Sequence, residues 1–233
     1  MIIFHRRTCH RLGLLFCMFN LAFLFSGLAA NTYYADASNL DDTGAGTNWT
    51  TAKKTIQAAI DLTVAGAGDT VLVTNGVYNY GGRTNACAGL VTNRVVITNS
   101  LTVQAVSTNP ANTLIVGAPD IMGGTPSNGP AAVRCVYLDT NCTLAGFTLT
   151  NGYTAYSATA TDVRRYGGGA YCQTNAVVSN CVITACKAHY YGGGMYALTN
   201  SIITGCTVIG NTSMAAEFTP MALVFTVARS FPM

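Results

Sequence analysis

The sequence predicts an all-β solenoid, a stack of short-strand coils closed by one helix at its N-terminal end. Three observations carry this reading. Gly167-Gly168-Gly169-Ala170-Tyr171 returns 25 residues later as Gly192-Gly193-Gly194-Met195-Tyr196. Each copy leads into a similar segment, Asn180-Cys181-Val182-Ile183-Thr184-Ala185-Cys186 and then Asn200-Ser201-Ile202-Ile203-Thr204-Gly205-Cys206. Self-similarity at this spacing marks an array whose units bury their apolar faces on one another. Finally, no stretch after Gly66 shows helical spacing, so the connections between strands must be the other faces of each coil. A β-sandwich is the rival for many short strands. The repeated Asn-x-x-Ile-Thr-x-Cys segment favours the solenoid.

The elements follow in order. Residues 1–30 read as a signal peptide: His5, Arg6, Arg7 and Arg11 form a basic start, 12–25 is apolar, and Ser26-Gly27-Leu28-Ala29-Ala30 offers small residues for cleavage after Ala29 or Ala30. The apolar run is short for a bilayer span, so no transmembrane segment is expected in the mature chain. The leader carries three of the 12 Lys and Arg residues, which leaves nine basic against nine acidic. A near-neutral chain without a basic stripe argues against a nucleic-acid partner. Low charge with abundant Thr, Asn and Gly suits an extracellular β-protein whose turns are polar but uncharged.

Residues 31–67 form the N-terminal cap. Thr32-Tyr33-Tyr34-Ala35 reads as a strand, and 38–48 as a loop. Thr50 or Thr51 then caps a helix whose apolar residues Ile56, Ile60 and Val64 recur every four positions, ended by Gly66 and Gly68. Such a helix shields the first coil's core and unpaired edge. Residues 68–213 carry the coils, about six of them by the spacing of their strands. Their strand candidates are 70–73, 76–78, 95–98, 101–106, 114–116, 133–138 and 143–150, followed by the two glycine-rich units. Residues 108–130 and 154–166 interrupt the rhythm; insertions between coils are where solenoids place binding surfaces. Seven cysteines remain after cleavage: Cys87, Cys135, Cys142, Cys172, Cys181, Cys186 and Cys206. Their spacing forms no paired metal hook. Stacked buried thiols are the favoured reading, with a disulfide left open by export.

At this point the residues resemble a family. The helix Thr55-Ile56-Gln57-Ala58-Ala59-Ile60, followed by Gly68-Asp69-Thr70-Val71-Leu72-Val73 and Gly76-Val77-Tyr78, resembles the opening of right-handed parallel β-helix proteins of the pectate-lyase-like superfamily. Leu144-Ala145-Gly146-Phe147-Thr148-Leu149-Thr150-Asn151-Gly152 resembles its coil consensus. The Gly-Gly-Gly-x-Tyr units are similar to repeats of polymorphic outer-membrane-type surface proteins. The resemblance covers roughly residues 33–213. It implies a right-handed parallel β-helix, but the superfamily mixes lyases, hydrolases, adhesins and passengers.

Residues 214–233 break the pattern where another Gly-Gly-Gly-x-Tyr is due. Met214-Ala215-Ala216-Glu217-Phe218-Thr219, back-translated and read two bases later, permits Gly-Gly-Gly-Val-Tyr. A frameshifted tail on a longer natural protein is one expectation, and a genuine C-terminal cap with an apolar strand over 221–228 is the other.

Chemistry is sparse. β-helix lyases and hydrolases are expected to gather carboxylates on adjacent coils. Here Asp120, Asp139, Asp162 and Glu217 do not recur at coil spacing, so no catalytic residue and no metal ligand is assigned. The best cluster is Tyr156, Asp162, Arg164, Arg165 and Tyr166, where aromatic rings and guanidinium groups suit stacking on and pairing with acidic sugars. His189 reads as a surface residue, and the glycine triplets as tight turns rather than phosphate cradles. The function read is an exported surface or extracellular scaffold, adhesin-like or carbohydrate-contacting, outer-membrane associated, with a polysaccharide or cell-surface glycan as partner. The alternative is a polysaccharide lyase or glycoside hydrolase. No cofactor is expected, and calcium only under the lyase alternative.

Overall fold

A computed structural model describes residues 29–84, 91–121, 128–156 and 162–213, together with the backbone of Val224–Thr226. The leader up to residue 28, Cys87, Glu217 and most of the tail lie outside the described residues.

Three parallel sheets run along the molecule, and the chain visits them in rotation. The first holds Thr32–Ala35, Thr70–Val73, Thr102–Ala105, Thr143–Ala145, Val177–Ser179, Ile202–Thr204 and Val224–Thr226. The second holds Gly76–Tyr78, Thr113–Val116, Thr148–Thr150, Val182–Thr184 and Thr207–Ile209. The third holds Thr92–Ile97, Val133–Leu138, Ala170–Cys172 and Met195–Ala197, with the short antiparallel Arg83–Thr84 at one edge. A parallel pair, Lys187–Ala188 with Thr212–Ser213, adds a narrow fourth strip. This is an all-β parallel β-helix, as the repeats predicted.

Register shows why the sequence stacks. Inward residues form apolar ladders, such as Val71, Val103, Leu144, Val178 and Ile203 on the first sheet, each at most 4% exposed. Ile115, Leu149 and Ile183 do the same on the second. Each such side chain contributes about 1.5–3 kcal/mol by leaving water. Five of the six described cysteines are buried, joining the ladders as small apolar residues.

Corners are made by left-handed residues. Between the third and first sheets stand Asn141, Asn175 and Asn200, with φ of 60°, 60° and 61°. They stack, and Asn175 Nδ2 donates to Asn141 Oδ1 at 3.2 Å. Gly146, Asn180 and Gly205 make the next corner, and Asn151, Ala185 and Gly210 the third, all at positive φ. Asparagine tolerates this region and glycine adopts it without penalty. One expectation changes as a result. Residues 143–150 are not a single strand; they bend at Gly146. Asn75-Gly76 likewise turns the chain from the first sheet to the second.

The helix is also shorter than expected. It spans Ile56–Ile60, and its cap is Thr55, whose Oγ1 accepts from Ala58 N–H at 3.2 Å. Thr50 and Thr51 instead belong to the short helical turn Trp49–Thr51, capped by Asn48. Ile56 and Ile60 are buried, but Val64 is 44% exposed. The helix shields the N-terminal end and supplies an acceptor: Gln57 Oε1 takes the Val96 N–H at 2.7 Å.

The glycine triplets divide their labour. Gly167 and Gly192 adopt φ of +66° and +65°. The following glycines let successive coils touch. A Cβ on Gly169 would stand 2.5 Å from the Gly194 carbonyl oxygen, and one on Gly168 2.6 Å from that of Gly193.

Candidate functional site

Strand alternation sends every second residue of the third sheet outward. In register, these are Val96, Tyr137, Tyr171 and Tyr196. The rings of Tyr137 and Tyr171 stack at 5.8 Å with 8° between planes, and those of Tyr171 and Tyr196 at 5.5 Å. Tyr166 lies on Tyr196 at 4.8 Å and meets Tyr190 and Tyr191 at 6.1 and 5.5 Å. Tyr166 and Tyr191 hold the same place ahead of their glycine triplets, so the 25-residue repeat itself brings these rings together. Tyr137 and Tyr171 are buried, while Tyr190, Tyr191 and Tyr196 remain half-buried. Burial, reinforced by Tyr196, pushes the Tyr171 phenol up to about 12.

Arg134 anchors this layer. It is fully buried and spreads its donors over Gly167 O (2.8 Å), Tyr166 O (2.8 Å), Val163 O (3.3 Å) and Asn93 Oδ1 (2.8 Å). Its guanidinium also sits 5.4 Å from the Tyr171 ring centre. Burial lowers its pKa to about 10, partly countered by Tyr171 and Tyr137, so it stays charged at neutral pH.

The five residues singled out from sequence fall into three arrangements. Asp162 caps the helical turn Val163–Arg165, accepting from Arg164 N–H at 2.9 Å, and its carboxylate grips Arg164 Nε at 2.7 Å. Arg165 turns inward: Nε donates to His189 Nδ1 at 3.0 Å, and its guanidinium lies 4.2 Å from the Tyr190 ring centre. Tyr156 is 50% exposed and meets the His189 ring edge-on at 4.7 Å. Tyr166 belongs to the tyrosine cluster. The structure therefore brings Arg165 and Tyr156 together around His189 and sets Tyr166 among the rings, while Asp162 and Arg164 pair with each other.

His189 corrects an expectation, being 8% exposed rather than a surface residue. Its backbone N–H donates to Thr154 Oγ1 at 2.7 Å. Since Nδ1 accepts from Arg165, the ring is neutral with its proton on Nε2. Burial and then Arg165 hold its pKa below the ordinary value. Tyr137, Tyr171, Tyr190, Tyr191, Tyr196 and Arg134 were missed as contributors. The available signal was Tyr137 one coil ahead of the two Gly-Gly-Gly-x-Tyr tyrosines.

Carboxylates are all occupied among the described residues. Asp69 takes the N–H groups of Asn31 and Val64, each at 2.8 Å. Asp120 takes that of Ala131, Asp139 that of Thr140, and Asp42 that of Thr55. Asp36 and Asp41 close local turns on Ser38 and Thr43, and Asp61 pairs with Arg83. No three His, Cys, Asp or Glu side chains among the described residues gather as a metal-holding group.

No known family and no curated protein matches the sequence. Among solved structures, the chain is similar to pectin methylesterase PemA from Erwinia chrysanthemi, at 16% identity and a TM-score of 0.49, covering 78% of this chain and 50% of that one. It is similar also to a GH136 lacto-N-biosidase from Eubacterium ramulus, at 17% identity and a TM-score of 0.48, covering 81% of this chain and 38% of that one. A pectin methylesterase solved in complex with a hexasaccharide gives 14% identity and a TM-score of 0.45, covering 78% and 56%. The chain thus spans about half the length of these structures or less. Likeness this low assigns no activity and no site residue; the fold stands on the strand register.

Proposed function

We propose that the chain is an exported, surface or extracellular β-helix scaffold that contacts acidic carbohydrate through the outer face of its third sheet. One observation carries this: buried Tyr137 and Tyr171 hold a row of half-buried rings, Tyr190, Tyr191 and Tyr196, and the Arg165 guanidinium lies 4.2 Å from the Tyr190 ring centre. Rigid aromatic faces give contact area at little conformational cost, and a neighbouring guanidinium suits a carboxylate. Export rests on the leader-like residues 1–30, and an adhesin-like role on the repeats. A lyase or hydrolase is the less favoured reading, because the described carboxylates already serve backbone N–H groups or arginines.

The test is a panel of neutral and uronate oligosaccharides incubated with the full chain, following both binding and chain scission. Binding of uronates without new ends or unsaturated product is the expected result. Scission would establish the enzyme reading instead, and no binding across the panel would sink the carbohydrate reading.

A further inference from the structure

We infer that Cys181 and Cys206 are the two halves of a disulfide that staples neighbouring coils under oxidising conditions. Each cysteine directly precedes a strand of the second sheet, and those strands pair in parallel with Val182 opposite Thr207. Cys181 and Cys206 are therefore register neighbours, and Thr207 N–H donates to Cys181 O at 2.9 Å. Adjacent strands lie about 4.8 Å apart, inside the Cα separation a disulfide accepts, about 4.4–6.8 Å. Both side chains turn to the same core, where the two thiols lie within hydrogen-bond reach of each other.

Accessibility makes this pair different from its neighbours. Cys206 is half-buried, and the hydrogen bond from Cys181 lowers its pKa to about 7, which favours its thiolate over that of its neighbours. Cys135 and Cys186 also interact thiol to thiol, but they are 0% and 1% exposed. Cys172 lies close enough to Cys206 to feel its charge, yet it is fully buried with its thiol pushed up to about 12. Exchange thus starts at Cys206 and has Cys181 as its aligned resolving partner.

With oxidised glutathione as the oxidant, the Cys206 thiolate attacks one glutathione sulfur and expels glutathione thiolate, leaving a mixed disulfide. Cys181 then loses its proton and attacks Cys206 Sγ, expelling the second glutathione thiolate. The protein gives up two protons and two electrons, and one oxidised glutathione becomes two reduced ones.

The test treats the folded full chain with oxidised glutathione, blocks remaining thiols, and maps tryptic peptides without reduction. Trypsin cuts after Arg165, Lys187 and Arg229, so the bond links peptides 166–187 and 188–229. Because 166–187 also holds Cys172 and Cys186, single Ser variants identify the partner. Linkage is expected in the wild type, Cys172→Ser and Cys186→Ser chains, and lost in Cys181→Ser and Cys206→Ser. Matching far-UV circular dichroism shows that each variant is folded; Cys181→Ala replaces Cys181→Ser if the hydroxyl disturbs the core. A glutathione adduct persisting on Cys206 in the wild type, or linkage surviving loss of Cys181, would overturn the assignment.

Discussion

Replacing Arg134 by leucine probes the join between the coil and the tyrosine layer. The substitution strips the carbonyls of Tyr166 and Gly167 and the Asn93 Oδ1 of their donor. A buried acceptor left unsatisfied costs about 1–3 kcal/mol, so three cost about 3–9 kcal/mol. Against this, a guanidinium held without a carboxylate partner is itself unfavourable. Its pKa falls from 12.5 to about 10, which at about 1.4 kcal/mol per pH unit corresponds to roughly 3 kcal/mol recovered on removing the charge. At its midpoint, about 6 kcal/mol, the loss of acceptor partners outweighs that relief, and a net destabilisation of about 3 kcal/mol, within about 0–6, is expected. Urea unfolding followed by circular dichroism measures the total. Hydrogen exchange at residues 162–169 should show it concentrated there, because Arg134 is what ties that segment to the sheet. A gain in stability, or unchanged exchange in that segment, would refute the anchoring role.

Four further outcomes follow from the same geometry. Gly169→Ala puts a Cβ 2.5 Å from Gly194 O and 2.7 Å from Ile183 Cγ2, so it should cost about 1–3 kcal/mol in urea unfolding by overpacking. Gly66→Ala has open space and only its φ of +79° to strain, so about 1 kcal/mol is expected there. Tyr171 holds its proton in the folded chain up to about 12, whereas the unfolded chain releases it near 10. That stability is fully present below pH 10 and is lost as pH rises towards 12, by about 2–3 kcal/mol. Arg134 opposes it over the same range, because the unfolded guanidinium keeps its proton longer than the folded one. Tyr171→Phe should therefore remove a falling contribution from urea midpoints measured between pH 9 and 12. His189, neutral in the fold, has its pKa lowered by burial and Arg165. The unfolded ring takes a proton first as pH falls below 6.5, so stability declines with acid; an NMR titration placing His189 above 6.5 would contradict this.

Much of the fold was legible because solenoid stacking repeats its demands. Inward Val, Ile and Leu, corner Asn and Gly, and the spacing of the triplets all recur with the coil. What was misread lies at a corner: apolar periodicity does not announce that Gly146 turns the chain, since Leu144 and Phe147 on either side of it are both apolar and buried. The helix cap moved to Thr55 because its hydroxyl reaches Ala58 N–H, a local contact that several nearby threonines advertise equally well. The site was half legible. The charged and aromatic insertion drew notice through composition, whereas Tyr137, Tyr171 and Tyr196 look like ordinary strand residues until register aligns them. Arg134 gave no signal at all, since its partners are carbonyls 29 to 33 residues away and a side chain 41 residues back.

The most direct test of the carbohydrate reading is a calorimetric titration of the full chain with a uronate oligosaccharide from the panel, repeated on Tyr191→Ala and Tyr80→Ala. Tyr191 belongs to the ring cluster; Tyr80 is 74% exposed and lies outside it. Loss of one stacking ring at a binding centre is worth about 1.4 kcal/mol. Affinity should therefore fall about tenfold in Tyr191→Ala and stay at the wild-type value in Tyr80→Ala. Equal affinity in all three chains would contradict the assignment of the tyrosine layer as the contact surface.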